Sequence, residues 1–83
     1  MDKSIYTREY AVVLRLLREA RERAGITQVE LAAKLGQSQS FVSKAERGDR
    51  RLDVIQLRTI LGALGVTLAD FVRGLEAELE EGG

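Results

Sequence analysis

The feature that most constrains the fold of this 83-residue chain is a regular alternation of helix-capping residues and glycines. Five residues with short, oxygen-bearing side chains each precede a segment of helical spacing: Thr7, Thr27, Ser38, Asp53 and Thr67. Such residues accept hydrogen bonds from the free N–H groups of a first helical turn. Four of the segments end at a glycine, the residue preferred just past a helix: Gly25, Gly36, Gly48 and Gly65. The pattern therefore predicts five short helices.

Apolar residues recur every three or four positions along these segments, and no strand-like alternation of any length is present. The predicted helices cover about residues 7–24, 28–35 and 38–47, followed by a fourth capped by Asp53 and a fifth capped by Thr67. We expect one all-α domain over residues 1–83, with its core at about residues 8–74 and an acidic C-terminal tail at 76–83.

Two absent residue types exclude whole classes of function, since the chain has no cysteine and no histidine. Cys/His zinc sites, cysteine nucleophiles, Ser-His-Asp triads and histidine bases are thereby ruled out. We predict that the protein is not an enzyme and needs no metal or other cofactor. No apolar run approaches the about 20 residues that span a bilayer, and no signal peptide is apparent, so the sequence predicts a cytoplasmic protein without a membrane partner.

The charges are balanced overall but unevenly distributed. The chain has thirteen basic and thirteen acidic residues, so its formal net charge is zero. A net charge of zero argues weakly against a nucleic-acid partner, because nucleic-acid-binding domains are usually basic. Four of the acids lie in the last eight residues: Glu76, Glu78, Glu80 and Glu81. The rest of the chain has thirteen basic residues against nine acidic ones, a net charge of +4. We expect the acidic end to be a solvated helix terminus.

Residues 27–48 read TQVELAAKLGQSQSFVSKAERG and match a helix-turn-helix, with the motif at about 27–47. This motif needs two helices crossing steeply through a short turn that often contains glycine. Ala32 supplies a small residue where the helix axes approach, Gly36 supplies the turn, and Val42 anchors the second helix on the first. Another helical bundle would also use glycine turns, but the combination at these offsets favours the helix-turn-helix.

Several short motifs carry a family resemblance: QVELA at 28–32, the Gly36 turn, Ser43-Lys44, ERG at 46–48 and LGV at 64–66. Over roughly Leu17 to Phe71 the sequence resembles the Cro/CI (Xre) family of helix-turn-helix transcriptional regulators. The resemblance implies a compact five-helix bundle of the lambda-repressor type. It also implies a domain that binds operator DNA, usually as a dimer, with its third helix in the major groove.

The resemblance implies three base-contacting residues, Gln39, Ser40 and Lys44. It implies contacts to the DNA backbone from six further residues: Gln28, Ser38, Ser43, Arg47, Arg50 and Arg51. It also implies a structural ion pair between Arg21 and Glu46. The residue chemistry agrees, because glutamine can bind adenine bidentately and lysine can donate to guanine. For each polar residue taken alone, the alternative to a DNA contact is an exposed position on a solvated helix face.

Two further features concern packing and assembly. Phe41 could meet a thymine methyl group or pack on a neighbouring helix, and we favour packing. Apolar residues at both ends of the chain exceed what one small core needs, and they predict a homodimer interface: Tyr6, Tyr10, Leu75 and Leu79. The alternative is that the two ends pack on each other within one protomer.

These observations together predict a sequence-specific, double-stranded DNA-binding regulator, a dimeric repressor on a palindromic operator. One alternative is an antitoxin or phage-type regulator that also binds a protein partner through its C-terminal helix. A second is a helical protein-interaction module whose helix-turn-helix no longer reads DNA, which the near-neutral charge slightly favours.

Overall fold

The computed structural model describes residues 7–82. They form five α-helices, with no strand in this part of the chain: α1 Arg8–Arg23, α2 Gln28–Leu35, α3 Gln39–Arg47, α4 Val54–Ala63 and α5 Leu68–Gly82. The predicted all-helical fold is therefore confirmed. Within residues 7–82 no single helix is long and apolar enough to cross a bilayer, and α4 and α5 reach that length and composition only jointly, across a 108° bend.

Local capping explains where the helices begin. The Thr27 hydroxyl accepts a hydrogen bond from the Glu30 N–H (3.1 Å), and the Thr27 N–H donates to the Glu30 carboxylate (2.9 Å). These two bonds form a capping box around Thr27, the residue that the sequence predicts as the cap of α2. A second box, which was not expected from the sequence, joins Asp53 and Gln56 at the start of α4. Each box satisfies two backbone N–H groups that the helix itself leaves unpaired.

Each of the two helices of the helix-turn-helix ends at a glycine. Gly36 ends α2 with φ 67°, and Gly48 ends α3 with φ 86°. Residues with a Cβ rarely adopt this left-handed conformation, so glycine allows a sharp stop at low strain. The short α2–α3 connection that follows is what brings the two helices of the motif into contact.

One buried cluster contains residues from all five helices and holds α3 in place: Leu17, Ala20, Leu31, Ala32, Val42, Ile60, Leu61, Leu64 and Phe71. Leu17, Leu31 and Leu61 are fully buried, each contributing about 1.5–3 kcal/mol relative to exposure. Ala32 and Val42 are buried at the α2–α3 junction, the places that the helix-turn-helix pattern predicts for them.

The C-terminal acids belong to the last turns of α5 and are not separate from the fold. α5 continues to Gly82, and Glu78 is half-buried. Its carboxylate accepts a hydrogen bond from Arg15 of α1 (2.5 Å). Arg15 also donates to Glu19 (3.1 Å), and these hydrogen bonds raise the pKa of its guanidinium. The end of α5 is thus joined to α1, whereas Glu76, Glu80 and Glu81 are exposed as expected.

Candidate nucleic-acid interface

The helix α3 has one buried side and one exposed polar side. Val42 and Ala45 are buried, at 3% and 2% exposure. The three residues predicted to contact bases, Gln39, Ser40 and Lys44, are all exposed. The packing of the first pair into the core therefore leaves the second set available to a partner on one continuous helix surface.

Behind this surface lies a buried ion pair between α1 and α3. Arg21 donates through Nε to Glu46 Oε2 (2.6 Å) and through Nη2 to Glu46 Oε1 (3.2 Å). Its Nη1 donates to the carbonyl oxygen of Ile26 (2.8 Å). The two charged side chains are only 12% and 5% exposed. Hydrogen bonding to Glu46 raises the pKa of Arg21, so the guanidinium stays charged. The structure thus contains the ion pair that the sequence led us to expect.

Hydrogen bonds continue from this pair to the exposed side of α3. Gln28 Nε2 donates to Glu46 Oε1 (3.0 Å), and Gln39 Nε2 donates to Gln28 Oε1 (2.8 Å). Gln28 and Gln39 are the first residues of α2 and α3. The two residues that we assigned to phosphate and base contact are thereby bonded directly to each other. Gln28 keeps one N–H for a further acceptor, since an amide nitrogen carries two.

Arg47, at the end of α3, is held by two neighbours. Its Nη1 donates to the Ser43 hydroxyl (2.7 Å), one turn earlier on the same helix. Its Nε and Nη2 approach Asp49 Oδ2 at 3.0 and 2.9 Å. Two of the residues assigned to the DNA backbone, Ser43 and Arg47, therefore lie side by side. Lys44, by contrast, has no side-chain hydrogen bond or ion pair within residues 7–82.

Arg50 and Arg51, the other two basic residues assigned to the DNA backbone, lie over aromatic rings. The Arg50 guanidinium carbon is 5.1 Å from the centre of the Phe41 ring, and that of Arg51 is 4.5 Å from the Tyr10 ring. Such cation–π contacts fix the position of a guanidinium group without neutralising its charge. Phe41 is half-buried and packs against the core cluster, which agrees with the favoured packing role.

Ser38 caps α3, because its hydroxyl accepts a hydrogen bond from the Phe41 N–H (3.1 Å). Any contact of Ser38 with a phosphate would therefore be made beside an established cap. The N–H groups at this helix start also suit an anion. In the part of the chain that the structure describes, no three acidic side chains are grouped so as to hold a metal ion.

The residues expected at a dimer interface have mixed surroundings. Tyr10 is half-buried, and its hydroxyl accepts a hydrogen bond from the Leu52 N–H (3.2 Å) within the same chain. Leu75 and Leu79 on α5 are also half-buried. Tyr6 lies outside the described residues. Part of the apolar surplus at Tyr10 is thus used inside the protomer.

Sequence reasoning missed two features of this surface. The bond between Gln28 and Gln39 could have been suspected, because both helices of the motif begin with glutamine. The second missed feature is the ion pair between Arg47 and Asp49. The spacing of two residues between them was the signal in the sequence. Both features depend on side-chain directions at helix ends, which spacing alone does not give.

Known proteins with similar sequences also contain a helix-turn-helix. The helix-turn-helix family HTH_3 matches residues 17–71. An uncharacterized HTH-type transcriptional regulator, y4dJ of Sinorhizobium fredii (strain NBRC 101917 / NGR234), is 42% identical over 52 residues, covering 63% of this chain and 68% of the relative.

Two solved structures share the fold. An XRE-family like protein from Pseudomonas syringae pv. tomato str. DC3000 superposes with a TM-score of 0.80 at 50% identity, over 84% of this chain and 85% of that one. The wild-type restriction-modification controller protein C.Esp1396I also reaches a TM-score of 0.80, at 27% identity over 89% and 95% of the two chains. By sequence and by fold, the chain belongs to the XRE-type helix-turn-helix family of transcriptional regulators.

Proposed function

We propose that this protein is a repressor that binds a palindromic DNA operator as a homodimer, with α3 in the major groove. Gln39, Ser40 and Lys44 contact base edges. The DNA backbone is contacted by Gln28, Ser38, Ser43, Arg47, Arg50 and Arg51. Repression requires only that the bound protein excludes other proteins from the operator. Likeness to a restriction-modification controller protein supports a regulatory role.

The observation that carries the proposal is the amide of Gln39, which is exposed at the start of α3 and hydrogen-bonded to Gln28. The N-terminal part of a recognition helix is the part that meets base edges in motifs of this type. A glutamine there can pair with the N6 and N7 atoms of adenine. Because Gln28 holds the side chain before DNA arrives, little rotamer entropy remains to be lost on binding.

The homodimer rests on the partly exposed apolar side chains of α5. Leu75 and Leu79 stay half-exposed although α5 is joined to α1 by the Arg15–Glu78 pair. We propose that these leucines, with Tyr6 and Tyr10, form the seam between two protomers. Pairing two domains lets each α3 read one half-site, with half-sites about 34 Å apart on the duplex.

Selection of bound sequences from a random DNA pool at near-physiological salt tests the proposal. We expect an enriched palindrome with two half-sites. On that sequence, the variant Gln39→Ala should lose about 1–3 kcal/mol of binding free energy. Its base preference should be relaxed at one position in each half-site. Its affinity for random DNA should stay nearly unchanged, because that affinity comes from phosphate contacts.

Gln37→Ala is the matched control, since Gln37 is also exposed but lies in the turn between α2 and α3. This variant should keep the wild-type base preference. An equal loss of affinity for every sequence in Gln39→Ala would make Gln39 a positioning residue and not a reading one. A pool without any enriched sequence would favour the protein-interaction module.

A further inference from the structure

The ion pair between Arg47 and Asp49 stands at the end of the exposed surface of α3. Two nitrogens of Arg47 approach the same oxygen, Asp49 Oδ2, at 3.0 and 2.9 Å. The side chains are 58% and 51% exposed, so solvent and a ligand can both reach them. This arrangement resembles the way in which a guanidinium group binds one oxygen of a phosphate.

The fold itself places Asp49 in this position. The Asp49 N–H donates to the carbonyl oxygen of Lys44 (2.9 Å), and the Gly48 N–H donates to that of Ala45 (3.2 Å). These bonds close the C-terminal turn of α3 and fix the backbone that carries the carboxylate. The contact therefore follows from how the helix ends and does not depend on a long, mobile side chain on the acidic partner.

The groove beside the pair contains two further arginines and one further acid, Glu46, which is buried and already paired with Arg21. A shallow groove between α1 and the end of α3 is lined by Arg15 and Arg18 in addition to Arg47 and Asp49. Arg18 is exposed and has no ion pair within residues 7–82. Without the carboxylate of Asp49, the groove would present a further unneutralised guanidinium to a polyanion.

We propose that Asp49 is an intramolecular substitute for a DNA phosphate, which occupies Arg47 in the free protein and must be exchanged when the backbone binds. The inference rests on the proposed function. When Arg47 is exchanged onto a phosphate, the released Asp49 carboxylate lies beside that phosphate and offsets part of the charge of Arg47. The net charge brought to the DNA backbone, and the counterion release that follows from it, is therefore smaller than with an arginine that has no acidic neighbour. Asp49 thereby lowers the affinity for DNA of any sequence, and it leaves base preference to the rest of α3.

The test compares Asp49→Asn with the wild type on the selected operator and on random DNA across a range of salt concentrations. We expect the variant to bind both DNAs more tightly, by up to about fivefold at low salt, since exposed ion pairs are weak. The slope of log affinity against log salt should steepen by up to about 0.9, the value for one additional neutralised phosphate. A thermal melt confirms that the fold is retained.

Asp70→Asn is the matched control, because Asp70 forms a similarly exposed pair with Arg73 on α5 and its loss changes the net charge equally. We expect the control to bind like the wild type. A second control uses the variant Arg47→Ala as its starting point. Adding Asp49→Asn to that variant should give no increase in affinity for DNA.

Unchanged or weaker binding by Asp49→Asn, while the wild type binds DNA, would overturn the inference alone and would show that Asp49 orients Arg47 or has no part in binding. An equal increase in affinity in Asp70→Asn would also overturn it, in favour of a general charge effect. If no folded variant bound DNA at low salt, the proposed function would fail, and this inference with it.

Discussion

Glu46→Ala is the change that most directly tests how the candidate interface is built. The Glu46 side chain is 5% exposed and accepts hydrogen bonds from Arg21 and Gln28. Among residues 7–82, its removal leaves the Arg21 guanidinium, 12% exposed, with the Ile26 carbonyl as its remaining hydrogen-bond acceptor. Removing one partner of a buried pair typically destabilises a protein by about 3–5 kcal/mol.

We expect a loss near the lower limit, about 3 kcal/mol, because Arg21 keeps one hydrogen bond and some access to water. A small domain has only about 5–15 kcal/mol of stability in total. At about 4–8 °C per kcal/mol for a domain of this size, the melting temperature should fall by about 12–24 °C. Urea titration followed by circular dichroism measures the free energy of unfolding directly.

Arg73→Ala provides the comparison, since it removes one partner of the exposed pair between Asp70 and Arg73. Its stability should change by less than about 1 kcal/mol. The double variant Arg21→Ala with Glu46→Ala should lose less than the sum of the two single variants, because no buried charge is left alone. If Glu46→Ala lost no more stability than Arg73→Ala, the reasoning from burial would be refuted.

Three further changes test other parts of the structure. Arg50→Ala combined with Arg51→Ala should weaken binding to all DNA sequences alike and lower the salt slope by about 0.9 for each phosphate that the variant no longer binds; an unchanged slope would exclude a role at the DNA backbone. Leu75→Glu should shift the protein toward monomer in sedimentation equilibrium with its helical content retained, and a wild type that is monomeric at tens of micromolar and on DNA would end the dimer proposal. Leu61→Ala should lose about 2–5 kcal/mol in chemical unfolding, because Leu61 is fully buried.

The helix boundaries could be predicted because their causes are local in the sequence. Thr27 and Glu30 are three residues apart, so a capping box needs no information about the rest of the fold. Likewise Gly36 and Gly48 end their helices through their own backbone freedom. The burial of Ala32 and Val42 followed from the helix-turn-helix pattern, since helical spacing decides which side chains share a face. The same spacing also placed Val54 and Val72 on apolar helix faces, and the structure leaves both exposed.

The side-chain network could be predicted only in part. The family resemblance supplied the pair of Arg21 and Glu46, but its burial depends on how closely α1 packs on α3. Gln28 was assigned to a phosphate, whereas the structure also bonds it to Glu46 and Gln39. These contacts join helix ends that are distant in the sequence, and periodicity does not encode such distances.

The apolar residues at the two chain ends show a different limit of prediction from the sequence. A count of apolar residues beyond the needs of one core does not say whether a second copy or the same chain covers them. Tyr10 illustrates the difficulty, because its hydroxyl and its ring both contact residues of its own protomer. Of the four residues assigned to the interface, the α5 leucines are the described pair whose partial exposure a second copy could cover.

The carboxylate of Glu46 has a consequence for the direction of every amide between it and the surface of α3. A carboxylate can only accept hydrogen bonds, so Gln28 must turn its NH2 group inward and its oxygen outward. Gln39 must then present its own NH2 group to that oxygen. A reversed amide at either residue would set two acceptors or two donors against each other. The buried charge thus fixes the polarity of the amide that would meet adenine, and with it the order in which a base edge must offer its acceptor and its donor.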